Sequence, residues 1–257
     1  MPCRSETVQI GDLDVHLLRG GRGEPLLVLH PEFAAGRWFP FHDELARHFQ
    51  VYAPDHPGFG STPRPDWLEG VDDLAMFYAD FIDTLGLAPV RVVGLSFGGW
   101  IAAELAAWFP ERVSRLVLVG AAGLKVEGVE RFDLFARPLE ETLQQLFFAP
   151  DRWVQLLPTE PGTDTLLRMY REATTLARLS WNPYLYDPKL ERRLRRVRCP
   201  VLVVWGAEDR FLPPPHGEAY LRALSDAELV LVPESGHLVP LERPEVFTAR
   251  VVPFLSR

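Results

Sequence analysis

The strongest constraint on this chain is its series of six short apolar runs, at residues 26–29, 51–53, 90–93, 116–119, 201–204 and 229–232. Each is nearly continuously apolar, most of them in Leu and Val, and longer segments with helical spacing lie between most of them. A strand that is apolar at every position must be covered on both faces, which is the condition of a parallel sheet between two helical layers. Helices joining such strands make right-handed crossovers. Ahead of the first run, residues 7–10 and 13–18 alternate apolar and polar on either side of Gly11-Asp12. That pattern predicts an antiparallel hairpin. The expectation is an α/β protein with a mostly parallel eight-stranded sheet flanked by helices, its antiparallel strands at the leading edge.

The alternation stops between about residues 124 and 196. That stretch offers helical windows at 131–146, 153–157 and 163–179, many prolines and no convincing strand. It reads as a helical cap (lid) inserted at 124–196 into a core formed by 1–123 and 197–257, the alternative being a longer set of surface helices. Its basic tail, 189–198, reads as a solvated helix face. Prolines number 24 in 257 residues, about twice the usual share, and they enforce turns and element ends.

Charge and composition exclude several classes. With 47% hydrophobic and 24% charged residues the chain is globular rather than disordered, and a net charge of −8 argues against a nucleic-acid partner. Cys3 and Cys199 cannot form a disulfide framework and suit a reducing compartment. No apolar segment is long enough to span a bilayer, and no basic start with an apolar h-region opens the chain. A cytoplasmic location, a monomer or homodimer, and no membrane contact are expected. No His, Cys and carboxylate grouping has metal-ligand spacing, so neither metal nor cofactor is expected. Gly20-Gly21-Arg22-Gly23 precedes a strand rather than a helix and reads as a turn, not a phosphate loop.

Three sites carry chemistry. Gly94-Leu95-Ser96-Phe97-Gly98 ends one apolar run and opens the helical segment 100–109. In that strand–turn–helix setting Gly-x-Ser-x-Gly lifts a serine hydroxyl above the sheet, and bulky neighbours at 94 and 98 would clash. The helix N-terminus then offers the Phe97 amide to a developing oxyanion. Serine needs a base and the base an orienting acid. Asp209 follows the run 201–204, and His237 follows the run 229–232. Each lies beyond the carboxyl end of a strand, where open α/β sheets place their sites. Glu208 is the fallback acid. Asp55 reads as shaping its turn and His30 as a hydrogen-bonding residue beside its loop. His16, His42, His48 and His216 read as surface or core, and His56 as part of a turn.

Together with Asp55-His56-Pro57-Gly58-Phe59-Gly60-Ser61, Trp205-Gly206-x-x-Asp209 and Gly236-His237 followed by Leu241-Glu242-Arg243-Pro244, these pieces resemble the α/β-hydrolase-fold superfamily over essentially the whole chain. The resemblance implies a serine hydrolase with Ser96 as nucleophile, His237 as base and Asp209 as acid. It also implies an oxyanion hole from the Phe97 and Glu32 amides, with Phe33 as the fallback donor. The family's loop after the first parallel strand usually reads His-Gly-x-x. Here it is His30-Pro31-Glu32-Phe33, a departure at Pro31. The Glu32 carboxylate either faces the pocket, disfavouring an anionic substrate, or points to solvent.

A serine at position 96 implies cleavage of a small ester, lactone or thioester, with water as the second reactant. The nearer alternative is carbon–carbon hydrolysis of meta-cleavage-type dienoates. Such hydrolases usually have tryptophan after the base histidine, where this chain has Leu238, and a cap arginine for the substrate carboxylate, for which Arg168, Arg171 and Arg178 are candidates. A ligand-binding receptor with a retained triad and a perhydrolase are further alternatives. The pocket is expected between cap and sheet, lined by Phe33, Phe97, Trp100, Trp181 and Leu238. Tyr170, Tyr184 and Tyr186 are possible contributors from the cap, though helix core is their commoner use. Residues 181–184 are a candidate hinge or lid edge.

Overall fold

The computed structural model describes residues 3–151 and 162–257. Its sheet has eight strands: β1 (Arg4–Ile10), β2 (Leu13–Gly21), β3 (Pro25–Leu29), β4 (Gln50–Pro54), β5 (Val90–Leu95), β6 (Val113–Val119), β7 (Val201–Gly206) and β8 (Ala227–Val232). They lie in the order β1-β2-β4-β3-β5-β6-β7-β8. β2 runs antiparallel to both β1 and β4, and the pairs from β4 to β8 are parallel. Both faces are covered: Leu27 and Leu29 of β3 face one buried cluster, Leu26 and Val28 the other. Continuous apolar runs are the sequence trace of this double burial.

Helices α1 (Pro40–Ala46), α2 (Val71–Thr84) and α3 (Phe97–Trp108) join the first parallel strands, while α7 (Pro215–Ala223), α8 (Val239–Glu242) and α9 (Pro244–Leu255) belong to the last part of the chain. Between β6 and β7 the described residues form α4 (Leu139–Leu146), α5 (Thr163–Ser180) and α6 (Leu190–Leu194). From β3 the chain crosses outward to β4, then returns over β3 to β5. The carboxyl ends of β3 and β5 therefore flank a topological switch point, where the two following loops diverge and leave a crevice. No helix among the described residues is long and apolar enough to cross a membrane.

Three boundaries differ from expectation, each for a local reason. The window 131–146 is helical only from Leu139, because Pro138 stands at the N-cap. Upstream, the Asp133 carboxylate accepts the Phe135 and Ala136 amides at 3.0 and 3.3 Å, a local bond that competes with helix. Gly20 and Gly21 close β2 rather than forming the turn. Helix α3 starts directly at Phe97, three residues before the expected start. The window 153–157 lies outside the described residues.

Candidate active site

The turn from β5 into α3 places Ser96 in a backbone conformation that side chains rarely adopt, φ 49° and ψ −113°. Neighbouring hydrogen bonds over-determine it: the Ser96 amide donates to Val119 of β6 at 2.9 Å, and its carbonyl accepts the Gly99 and Ala122 amides at 2.9 and 3.1 Å. The flanking glycines are required by space. A Cβ on Gly98 would stand 2.4 Å from the Leu29 carbonyl oxygen, and one on Gly94 2.5 Å from that of Gly98.

Asp209 leaves the end of β7 and is buried, its Oδ1 accepting the Phe211 and Leu212 amides at 2.9 Å each. Oδ2 is 2.7 Å from Nδ1 of His237, whose Nε2 is 2.7 Å from the Ser96 Oγ. The structure thus joins three side chains separated by up to 141 residues of sequence. All three are at most 3% exposed, so water does not compete for these bonds. Burial disfavours the charged form of His237, but the charge and hydrogen bond of Asp209 and the charge of Glu32 outweigh it, and its pKa lies above the ordinary value. Glu208 turns elsewhere and accepts the Ser235 amide at 3.1 Å.

The Glu32 side chain turns inward. Ser96 Oγ donates to its Oε1 at 2.9 Å, and the Phe97 amide is directed at its Oε2 at 3.5 Å. The amide expected to meet a substrate oxyanion thus faces a carboxylate of the same protein. The loop that carries Glu32 is fastened from below. Nδ1 of His30 donates to the Pro31 carbonyl at 2.7 Å, and Nε2 accepts the His56 amide at 3.1 Å. The two rings stack at 3.7 Å. His56 in turn donates to the His30 carbonyl at 2.9 Å and receives the Tyr78 hydroxyl at 2.6 Å. Burial lowers both histidine pKa values, which keeps them neutral members of this network. Asp55 anchors the neighbouring turn, accepting the Gly36 and Ser61 amides at 2.5 and 2.9 Å.

Beside Glu32 lies a cavity of about 390 Å³ walled by Phe33, Phe39, Phe41, Phe147 and Leu238. Of the expected lining, Phe33 and Leu238 belong here. Phe97, Trp100 and Trp181 do not, and this corrects the sequence expectation. The Trp100 indole is buried against Phe97 and reaches back to Glu104 of its own helix at 3.4 Å. Trp181 stacks on Phe135 and stays 60% exposed. Arg168 and Arg171 line a different hollow with Arg64 and Glu172.

Sequence reasoning missed Phe39, Phe41 and Phe147, which no motif marks, and Arg131. The Arg131 guanidinium lies 5.5 and 5.1 Å from the Tyr184 and Tyr186 ring centres. Its Nη1 is buried without a hydrogen-bond partner among the described residues. Residues 181–184 are tied down, since the Tyr184 hydroxyl receives the Leu134 amide at 2.9 Å and donates to the Phe132 carbonyl at 2.7 Å.

An α/β sheet of this order, with a serine at the strained turn after β5 and an acid and a histidine after β7 and β8, has the architecture of the α/β hydrolases. The alpha/beta hydrolase family model matches residues 26–250, and the chain belongs to that family. It is 30% identical over 265 residues to 2-hydroxy-6-oxo-6-(2'-aminophenyl)hexa-2,4-dienoic acid hydrolase of Metapseudomonas resinovorans, covering 97% of this chain and 90% of the relative. Among solved structures it resembles a serine hydrolase involved in carbazole degradation, with TM-score 0.79 and 26% identity over 99% of both chains. It also resembles a membrane phospholipase A, with TM-score 0.78 and 26% identity over 99% of this chain and 86% of the other.

Proposed function

We propose that this α/β hydrolase is a serine hydrolase that cleaves a small carboxylic ester, lactone or thioester through an acyl-enzyme on Ser96. The observation that carries the reading is the hydrogen-bond chain from Asp209 through both nitrogens of His237 to the Ser96 hydroxyl, 2.7 Å at each link. In this reading neutral His237 takes the Ser96 proton on Nε2 as Oγ bonds to the carbonyl carbon. Asp209 holds the imidazolium through Nδ1. The Phe97 amide, with the main-chain amide of Glu32 or Phe33, receives the oxyanion, and each such donor typically contributes about 10²–10³ in turnover. His237 returns the proton to the leaving alkoxide or thiolate, then activates water to release the acid. Residues 124–196 serve as a cap on the core of 1–123 and 197–257, and Leu146 and Phe147 bring that segment to the cavity wall.

A second reading, hydrolysis of a carbon–carbon bond in a dienoate, is favoured by the name of the Metapseudomonas relative and by Arg131. A buried guanidinium nitrogen with no hydrogen-bond partner among the described residues suits a substrate carboxylate. One panel separates the readings: p-nitrophenyl esters of graded acyl length, a lactone, and 2-hydroxy-6-oxo-6-phenylhexa-2,4-dienoate. Faster turnover of short esters than of the dienoate supports the first reading, and the reverse order supports the second. Turnover that survives Ser96→Ala overturns both.

A further inference from the structure

A carboxylate in the oxyanion position changes what the site admits. Glu32 accepts the Ser96 hydroxyl proton at 2.9 Å and stands 3.5 Å from the Phe97 amide. A substrate carbonyl oxygen needs that same amide, and negative charge grows on it during attack. With Glu32 ionised and in place, a neutral ester meets repulsion where the reaction needs attraction. Among the described residues no lysine or arginine lies within 4 Å of the Glu32 carboxylate. Among the described residues the groups that meet it are the Ser96 hydroxyl and the Phe97 amide, with His237 beyond the hydroxyl.

The neighbouring cavity supplies what would draw this carboxylate aside. Glu32 forms part of its wall, and Phe33, Phe39, Phe41 and Phe147 surround the space. Aromatic rings beside a carboxylate are the chemistry that recognises an ammonium group. The two histidines in the wall do not oppose a cation. Burial lowers the pKa of His30 and pushes that of His42 down to about 3, so both are neutral at physiological pH. Arg37, the one lysine or arginine among the described lining residues, sits exposed at the rim.

We propose that this cavity is a binding site for an ammonium group carried by the substrate next to its reacting carbonyl, and that Glu32 is the residue that selects it. The inference rests on the serine-hydrolase reading of Ser96. Pairing with the cation turns the Glu32 carboxylate from the Phe97 amide toward the cavity and leaves the amide to the carbonyl oxygen. Neutral and anionic carbonyl compounds leave Glu32 where it is and react more slowly. Amino or quaternary ammonium esters are therefore the preferred class.

The test uses two boronic acids of the same shape, 3-(trimethylammonio)phenylboronic acid and 3-tert-butylphenylboronic acid. Both form a tetrahedral adduct on a nucleophilic serine, so binding reads the oxyanion site without turnover. Calorimetry on the full chain should show the cationic compound binding at least about tenfold more tightly, the scale of a desolvated cation–aromatic contact. In Glu32→Gln the neutral compound should gain affinity and the ratio fall to about twofold or less. Butyrylcholine and its carbon analogue 3,3-dimethylbutyl butyrate should show the same ratio in kcat/KM. No preference in the wild type, including no binding of either compound, overturns the proposal, as does a ratio unchanged in Glu32→Gln. Ser96→Ala separates the two levels. Loss of both adducts there leaves the serine reading standing whatever Glu32 does, and wild-type affinity for both removes the serine reading itself.

Discussion

The hydroxyl of Ser96 donates to the Glu32 carboxylate at 2.9 Å while standing 2.7 Å from Nε2 of His237. A hydroxyl has one proton. If it goes to Glu32, the short contact to His237 requires His237 to be the donor, hence an imidazolium lying between Asp209 and Glu32. In that arrangement the histidine has no lone pair for the serine, and the site is at rest. In the proposed mechanism, activation requires His237 to be neutral.

This gives a pH dependence with a definite sign. Burial alone would lower the His237 pKa, but Asp209 and Glu32 together raise it above the ordinary value. The neutral, proton-accepting form therefore appears only above that raised pKa, and kcat/KM for a neutral ester should climb with pH on the alkaline side of the usual histidine range. Glu32→Gln removes one of the two charges holding the imidazolium. Its profile should rise at lower pH than that of the wild type, while Glu32→Asp should move it less. Superimposable profiles of wild type and Glu32→Gln would show that Glu32 does not act on His237.

Asp209 offers a cleaner separation of geometry from charge. Its Oδ1 is engaged by two amides and its Oδ2 by His237. Asn in its place keeps the shape but presents an amide group that favours the wrong imidazole tautomer. Asp209→Asn should reduce kcat by about 10⁴ with little change in KM. Glu208→Gln should stay close to wild type, because Glu208 bonds the Ser235 amide rather than His237. The reverse ranking of the two variants would exchange their roles.

Much of this arrangement was legible in sequence because it follows from short-range rules. Continuous apolar runs announce strands buried on both faces, and Gly94 and Gly98 stand where a Cβ would strike a carbonyl oxygen. The inward turn of Glu32 was not legible. It depends on the crevice between β3 and β5, on the backbone of Phe33 at φ 58°, and on the pair of histidines stacked beneath the loop. Phe41 and Phe147 were equally silent. One lies on α1 and the other just after α4, and only the tertiary fold brings them to one cavity. Trp100 and Trp181 misled because closeness to a motif in sequence says nothing about which way a ring points from its helix.

Gly98 tests the packing argument at the elbow. A Cβ there meets the Leu29 and His30 carbonyl oxygens at 2.4 and 2.5 Å, and both belong to backbone that cannot rotate away. Gly98→Ala must push β3 and its loop from α3. The expected loss is about 3 kcal/mol, or roughly 6–12 °C in Tm for a chain of this size. Activity should fall further than stability explains, since the Glu32 loop moves with β3. Thermal melts and turnover on the same preparation check both parts.

The last prediction concerns how the segment before β7 is held to the sheet. Arg193 on α6 reaches Glu104 on α3, its Nε donating to Oε2 at 2.8 Å and its Nη2 bonding both Oε1 and Asp187. The Glu104 side chain is 1% exposed and that of Arg193 16%, so this is a buried pair. Such pairs add little over well-packed apolar groups, whereas removing one partner strands the other charge. Arg193→Met alone should therefore lose about 3–5 kcal/mol. Adding Glu104→Leu should restore most of that loss, because the carboxylate that remains, Asp187, is 30% exposed to water and keeps the Lys189 amide on its Oδ1. Urea unfolding of the two single variants and the double variant closes the cycle. A double variant no more stable than Arg193→Met would mean that the guanidinium contributes by packing over Trp108, whose ring centre lies 5.8 Å from it, rather than by answering the buried carboxylate.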